Sequence, residues 1–510
     1  MLESFTILYP IFALLISAIL VPFISLLGKV VRFEKLRDVF AVVGFMVSFY
    51  MLYNLYQEVE AAENHLLSYH LKGFGPPSGV VFIVDWLGLF MAFLFCGLGL
   101  VAAIFSIRYM ERDTGLDKYY TLLFMLVASM IGVAFAGDFF NFFIFWETFC
   151  ISSYVLVAFR IHKWEPIEAG FKYLVMSTFG SLLVLLAMSY LYGLTGTLNF
   201  AYIAKAIGNV PEPTILYILI GLIVVGFGII AAMVPFHTWL PDAHPAAPAP
   251  ISAMLSGVVI KTGIYGIIRV LVLVLHPAPI DWSVLIVVVA VFAVLTMTVG
   301  NVMALLQNDI KRLLAFSSVA QIGYIILAIS VGLFGGIIGA YGLTAGLLHV
   351  MNHAIMKGLL FLCSGAIMYV ARTRDLRELV GVGHKMPVTA VILTVGALAI
   401  SGVPPFNGFI SELAILLATL NAGMTIFAGI MLANILIGFA YYLRLLYILI
   451  WQSPKESLEG VSEAPFSMLL PMAILMILCI VIGVWPQPFI SFAFKAAEAV
   501  MDFQVYTSAV

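Results

Sequence analysis

Apolar runs of about twenty residues, separated by short polar segments, recur along the whole chain, and a helix needs about that length to cross a bilayer's hydrocarbon core. On that template, spans are predicted near 5–27, 36–57, 80–106, 119–136, 138–159, 167–192, 214–234, 250–275, 281–305, 313–332, 334–369, 387–419, 424–450 and 465–494. The eleventh and twelfth runs are long enough to be tilted or broken. The predicted fold class is an all-α polytopic membrane protein of about fourteen transmembrane helices. The longest polar stretch, 58–79, is too short to fold alone, so no soluble domain is expected.

Two interruptions look alike. MVPFHTWLPDAH (233–244) follows the seventh run, and SGVPPFNGFISE (401–412) lies inside the twelfth. Each sets Val-Pro in an apolar helix ahead of a Phe and a polar residue. Proline removes a backbone donor and clashes with the preceding turn, so helix breaks are expected near Pro235 and Pro404. The plain reading is a pair of ordinary proline kinks. Backbone left unpaired inside a membrane is tolerated only against protein or a wet cavity, and matched breaks in two halves point to inverted-repeat transporters. The breaks stand five spans apart, and an odd offset is what inversion requires. The expected units are 1–110, an N-terminal three-helix segment; 119–275 and 281–450, two inverted repeats of five helices each; and 465–510, a C-terminal helix.

Composition agrees with this reading. Hydrophobic residues make up 63% of the chain and charged residues 10%, against roughly 25% charged in soluble domains. A net charge of −2 and the lack of any basic block beyond short loop clusters argue against a nucleic-acid partner. Cys96, Cys150, Cys363 and Cys479 are far apart in or beside apolar runs, which suggests neither disulfides nor a metal or iron–sulfur site. The opening MLESFTILYP has an acid at Glu3 and no basic leader, so the first run is expected to be a retained helix.

Basic residues set the orientation. With both termini outside a cytoplasmic membrane, the inner loops receive Lys29, Arg32, Lys35, Arg37, Arg108, Arg112, Lys118, Arg160 and Lys163. They also receive Lys311, Arg312, Arg372, Arg374, Arg377, Lys385, Arg444 and Lys455. The outer side keeps Lys72, Lys205, Arg269 and Lys495, and Lys172, Lys261 and Lys357 fall within spans, which accounts for all 24 Lys and Arg. Arg108, Lys311 and Arg312 read as orientation anchors.

A charge at the bilayer centre costs about 2.5–3.5 kcal/mol on insertion scales and persists mainly where function needs it. Glu147 lies in FFIFWETFCISS and Lys261 in SGVVIKTGIYG. His349, His353 and Lys357 step by four along one helical face, and Glu412 follows the second break. Together they are candidates for a row of proton-binding groups near the midplane, joined by bridging waters, because burial and neighbours can tune Glu, Lys and His toward neutral pH. A lone buried histidine is more often a structural hydrogen-bond donor. His237 is a secondary candidate that could simply tie down the broken helix, and Lys172 is another, one turn after Glu168 and suited to an interfacial pair. GFGIIA (226–231) mimics a dinucleotide fingerprint but has no strand before it, and GGIIG (335–339) reads as helix-packing surface.

PFHTWLPDAHPAAPAPISAMLSGVVIKTGIYGIIR (235–269) resembles the signature of the antiporter-like proton-translocating subunits of complex I, of Mrp cation/proton antiporters and of energy-converting membrane-bound hydrogenases. FWETFCISSYVL (145–156), NDIKRLLAFSSVAQIGYI (308–325), HVMNHAIMKGLLFLCSG (349–365) and SGVPPFNGFISE extend the resemblance over roughly 105–450. The resemblance implies fourteen helices, broken seventh and twelfth helices and a hydrophilic axis through the membrane. It matches Glu147 to the family's fifth-helix glutamate, Lys261 to its eighth-helix lysine, His349 to its eleventh-helix histidine and Glu412 to its twelfth-helix position. One position departs: relatives usually carry a lysine five residues before the first break's proline, where this chain has Ile230. The Glu147 half is thus expected to lack its usual switch, to use Lys172 or a rearranged partner, or to be inactive for protons.

The expected function is a proton-translocating, or proton/sodium-exchanging, subunit of a redox-driven respiratory-type complex, with no cofactor in this chain. Its partners would be other membrane subunits and a peripheral redox module. The alternatives are a subunit of a stand-alone multisubunit cation/proton antiporter and, from the loss at Ile230, a non-pumping spacer.

Overall fold

A computed structural model describes residues 4–71, 79–211 and 213–508; Glu3 and Lys72, named above, lie outside the described residues. Among the described residues, thirteen helices are long and apolar enough to cross a membrane. They are Phe5–Val30, Leu36–Ala61, Trp86–Tyr109, Leu116–Phe135, Phe139–Val157, Trp164–Thr195, Pro213–Ile230, Ala249–Val274, Trp282–Leu305, Ile310–Gly332, Gly336–Ala371, Thr425–Trp451 and Phe466–Val484. Two shorter apolar helices, Pro387–Ile400 and Asn407–Asn421, make up the broken twelfth span. Spans are numbered below in chain order, first to fourteenth, with this pair as the twelfth. The protein is an all-α, multi-pass membrane protein.

Both helix breaks have the same backbone. In the seventh span's break, Ala231 N–H bonds Phe227 C=O (2.9 Å), Ala232 bonds Ile229 (3.1 Å), Met233 bonds Gly228 (2.8 Å) and Phe236 bonds Met233 (2.6 Å). In the twelfth, Ser401 bonds Ala397 (3.2 Å), Gly402 bonds Ala399 (3.2 Å), Val403 bonds Leu398 (3.1 Å) and Phe406 bonds Val403 (3.1 Å). Ala232 (φ 58°) and Gly402 (φ 69°) share the left-handed conformation, and Val234–Pro235 and Pro404–Pro405 are both cis. This pairing aligns Pro235 with Pro405, so the Val-Pro match seen in the sequence is one residue out of register.

The likeness extends to the neighbouring spans. Asp138 caps the fifth span, accepting from Asn141 N–H (2.7 Å), and Asp309 caps the tenth, accepting from Lys311 (2.9 Å) and Arg312 (3.1 Å). Asp138 bridges antiparallel to Asn199 as Asp309 does to Asp375. The long sixth and eleventh spans both end on a left-handed residue, Gly196 (φ 71°) and Arg372 (φ 59°). Each pair is five spans apart, so its members cross the membrane in opposite senses.

Two predicted boundaries are corrected. The run from residue 80 opens not as helix but as a strand, Val81–Val84, paired antiparallel to Leu67–His70. The helix starts only at Trp86, where Asp85 turns extended and accepts Gly88 N–H (2.8 Å). The run 465–494 is two helices, Phe466–Val484 and Gln487–Met501. Pro486 disfavours the helical region for Trp485, which takes φ −129°, ψ 72°.

The eighth span, and the tenth apart from Arg312 in its first turn, are buried inside the bundle. The eighth departs from regular α geometry in two wider π-helical stretches, Leu255–Val259 and Arg269–Val274. Such stretches are often found at functional sites. Around these central spans, apolar side chains such as Ile16, Phe171, Leu182 and Val391 face outward, as a lipid-exposed rim requires.

Candidate functional site

The eleventh span crosses unbroken as a helix of 36 residues, so its four-residue spacing carries directly into geometry. His349, His353 and Lys357 are fully buried on one face, and the two imidazoles lie parallel with centroids 6.2 Å apart. The tenth and twelfth spans close over this face. His349 bonds Gln321 Oε1 through Nε2 (2.7 Å) and Ser411 Oγ through Nδ1 (2.9 Å). Ser411 has a second acceptor in the Gly408 carbonyl at 3.2 Å, so one hydroxyl proton faces two acceptors. Gln321 also faces the carboxyl of Glu412, which is 4% exposed. Gly402 makes the room: a β-carbon there would stand 2.2 Å from Glu412 Oε2. Glu412, Gln321 and His349 thus form one connected polar unit.

Two turns further on, Lys357 donates to the Leu314 carbonyl (2.9 Å) and to Tyr442 Oη (3.0 Å), and that hydroxyl pairs with Ser317 (2.7 Å). Lys261, on the eighth span, donates to the Ser256 carbonyl, and Ser256 Oγ meets Ser318 Oγ at 2.7 Å. Lys261 lies within Coulombic reach of His349, His353 and Lys357. Both ring nitrogens of His353 lack a hydrogen-bond partner among the described residues. A dry protein rarely leaves such groups bare, and a bridging water would satisfy them. The four cationic or imidazole groups and one carboxyl can hold and pass protons. The described residues contain no cluster of three or more His, Cys, Asp or Glu side chains suited to a metal.

Other sequence candidates fall outside this row. Glu147 is half-buried on the fifth span, and its Oε1 has no partner among the described residues. Lys172 does not reach it: Lys172 pairs with Glu168 (2.8 Å) and Asp242 (3.0 Å), and Asp242 also meets Arg312 (3.3 Å). His237 is half-buried against the Pro235 carbonyl. The break itself is tied by Trp239 Nε1 donating to the Ile229 carbonyl (2.9 Å) and by Val234 N–H donating to Thr296 Oγ1 (3.1 Å).

Two expectations are overturned. Lys311 is not a solvated anchor. Its side chain is fully buried and donates to the His244 (2.9 Å) and Ala247 (2.6 Å) carbonyls at the end of the short helix Leu240–Ala246. Arg269, sorted with the outer-side charges rather than with those inside spans, is buried within the eighth span, where its guanidinium donates two hydrogen bonds to the Asp85 carboxylate. The sequence reading also missed His244, fully buried, flat on Phe361 at 4.4 Å and within Coulombic reach of Lys311, Lys357 and Lys261. Both of its ring nitrogens are unpartnered among the described residues, as in His353. Outside the spans, burial raises the Asp309 carboxyl and the neighbouring Arg374 guanidinium counters it. Arg374 joins Asp309 (2.6 Å) to Glu165 (2.6 Å).

Residues 136–438 match the family described as NADH:quinone oxidoreductase/Mrp antiporter, TM. The chain belongs to this family. Consistent with membership in the NADH:quinone oxidoreductase/Mrp antiporter family, residues 77–120 match the N-terminal region described for chain 5 of NADH-ubiquinone oxidoreductase (complex I). The chain is 32% identical over 430 residues to a subunit of the F420H2 dehydrogenase of Methanosarcina mazei, covering 82% of this chain and 85% of that one. It is 29% identical over 499 residues to a Na+/H+ antiporter subunit of Alkalihalophilus pseudofirmus, covering 98% of this chain and 99% of that one. Among solved structures, a chain of the membrane-bound sulfane sulfur reductase, described as an archaeal respiratory membrane complex, superposes with a TM-score of 0.90 at 30% identity, over 99% of this chain and 100% of that one. The Mrp complex from Dietzia shares the fold, with a TM-score of 0.86 at 23% identity over 99% of each chain.

Proposed function

We propose that this protein is an ion-translocating membrane subunit of a redox-driven respiratory-type complex, moving protons, or exchanging sodium for protons, through the interior of its helix bundle. The observation that carries the proposal is the buried row Glu412–Gln321–His349–His353–Lys357, with Lys261 beside it. Ionisable groups in lipid-spanning helices are costly, and here they are gathered rather than scattered. In this row, a proton on Lys357 leaves a neutral amine when it departs, and Glu412 holds it as a neutral carboxyl. His349 and His353 lie between them and can take a proton on one ring nitrogen as the other gives one up.

Partners in this reading are further membrane subunits and a peripheral redox module that supplies the driving reaction. Support comes from relatives named as subunits of an F420H2 dehydrogenase and of a respiratory membrane complex. The membrane is the cytoplasmic one, with the basic loops inward and both termini outward. A second reading, a subunit of a stand-alone cation/proton antiporter, is favoured by the antiporter relative that matches nearly the full length. Co-purification separates the two: redox subunits in the assembly support the first, and membrane subunits alone support the second.

The test is proton movement in membrane vesicles that carry the assembled protein, driven by an imposed pH difference and normalised to the amount assembled. Glu412→Gln is expected to lower the flux at least tenfold. Undiminished flux in that variant removes the proposal.

A further inference from the structure

The eighth span carries more polar chemistry than the row just described uses. From Lys261 toward its outer end, Tyr265 and Arg269 follow at four-residue steps on a helix buried throughout, so the three side chains share one face. Arg269 Nε donates to Tyr265 Oη (3.0 Å), and Tyr265 Oη donates to the Ala134 carbonyl (2.7 Å). The guanidinium then makes two bonds to Asp85, Nη1 to Oδ2 (2.5 Å) and Nη2 to Oδ1 (2.7 Å). Asp85 forms part of the wall of a cavity of about 940 Å³ on the outer side, lined also by Glu63, His65, Lys495 and Glu498. A polar stack therefore runs from the buried lysine to an outward cavity, and the Asp85–Arg269 pair stands across it.

A structural tie between spans explains this arrangement poorly. A buried ion pair is seldom more stabilising than the apolar side chains that could replace it, and Asp85 is already held at the start of the third span by its bond from Gly88 N–H. The backbone changes at the same place: the regular α-helix Ile260–Ile268 holds Lys261 and Tyr265, and the wider π-helical stretch begins at Arg269. Lys261 presently points inward, to the Ser256 carbonyl. Its four-carbon stem has the rotamers to turn toward Tyr265 instead.

We propose that Lys261, Tyr265, Arg269 and Asp85 form a gated outward proton route, an inference that rests on the translocation reading above. The ammonium of Lys261, turned toward Tyr265, gives a proton to the Tyr265 oxygen as the phenolic proton leaves the Ala134 carbonyl and passes, through water entering from the outer cavity, to the Asp85 carboxylate on that cavity's wall. Lys261 is left neutral and Tyr265 unchanged. Neutral Asp85 no longer holds Arg269, which stays protonated, so the pair parts. Asp85 then loses the proton to water in the outer cavity, and the restored carboxylate recaptures Arg269. The same pair thus passes the proton and closes behind it.

The experiment is the vesicle flux measurement on the complete assembly, normalised to assembled protein, with Glu412→Gln alongside. Tyr265→Phe, which removes one hydroxyl and leaves the ion pair, is expected to lower flux at least tenfold. Asp85→Asn is expected to do the same, and Asp85→Glu to retain at least half, because the carboxyl is what the route needs. A purely structural tie would lower the assembled amount without changing flux per assembled protein. Tyr265→Phe at unaltered flux overturns the route while leaving the translocation reading intact, and it decides alone if Asp85→Asn does not assemble. Unaltered protein with no Glu412-dependent flux removes the translocation reading and this inference with it.

Discussion

Gly402 shows how much depends on a missing side chain. Its positive φ of 69° disfavours a side chain, and a β-carbon there would collide with Glu412 Oε2, so a methyl group could enter only by pushing the carboxyl aside. Gly402→Ala is expected to displace the Glu412 carboxyl from Gln321 and lower proton flux about tenfold, roughly 1.4 kcal/mol of barrier. Assembly should survive, since alanine's cost at positive φ is about 1–2 kcal/mol. Flux equal to that of the unaltered protein would show that the carboxyl does not need this seat. Asp138 gives a pH-dependent test outside the spans. Burial raises its carboxyl to about 6, opposed by bonds from the Asn141 and Val81 N–H groups. The folded chain then binds more protons at this site than the unfolded chain between about pH 4 and 6, so its contribution to stability falls as pH rises through that window. Asp138→Asn keeps an acceptor for Asn141 and removes the titration, so the unfolding midpoint in detergent should vary less between pH 4 and 6. An unchanged slope would assign the pH dependence elsewhere. Single charges such as Glu412, His349 and Lys357 were legible because they interrupt apolar runs. Gln321, Ser317, Ser411 and Tyr442 were not, because neutral polar residues are unremarkable in a span until a partner is placed beside them. Lys311 was misread because its neighbour Arg312 does behave as an anchor, and nothing local shows that one of the two folds inward.

Among the elements, the broken helices matter most. Ending a helix inside the membrane leaves backbone groups that must find partners, and the seventh span finds them in Trp239 and Thr296. Thr296→Val keeps the shape and removes the acceptor of Val234 N–H. It should cost about 1–3 kcal/mol, seen as a lower thermal midpoint in detergent, and a midpoint unchanged within error would mean that another group takes over. Prolines announced these breaks in the sequence. Their common hydrogen-bond pattern was hidden, since it rests on Ala232 in one half and Gly402 in the other. The two misjudged boundaries have a related cause: hydropathy alone separates neither the strand Val81–Val84 nor the helix after Pro486 from the spans they adjoin.

For the whole molecule, the two halves share a framework but not a chemistry. The second half has a connected carboxyl, amide and imidazole. The first has Glu147 with one oxygen lacking a partner among the described residues, an apolar, buried Ile230 five residues before its break's proline, and Lys172 drawn off to Glu168 and Asp242. Glu147→Gln is therefore expected to leave proton flux within about twofold of the unaltered protein, where Glu412→Gln lowers it steeply. A loss in Glu147→Gln as deep as that in Glu412→Gln would show that both halves conduct. The inverted arrangement of the two broken spans also has an electrical consequence. Their peptide dipoles point opposite ways across the bilayer, so a membrane voltage that favours one interrupted helix disfavours its twin by a similar amount. The framework as a whole has little polarity of its own to respond with. A lone proton crossing the full thickness feels about 2.3 kcal/mol per 100 mV, and the voltage sensitivity of this protein belongs to the travelling charge rather than to the helices around it.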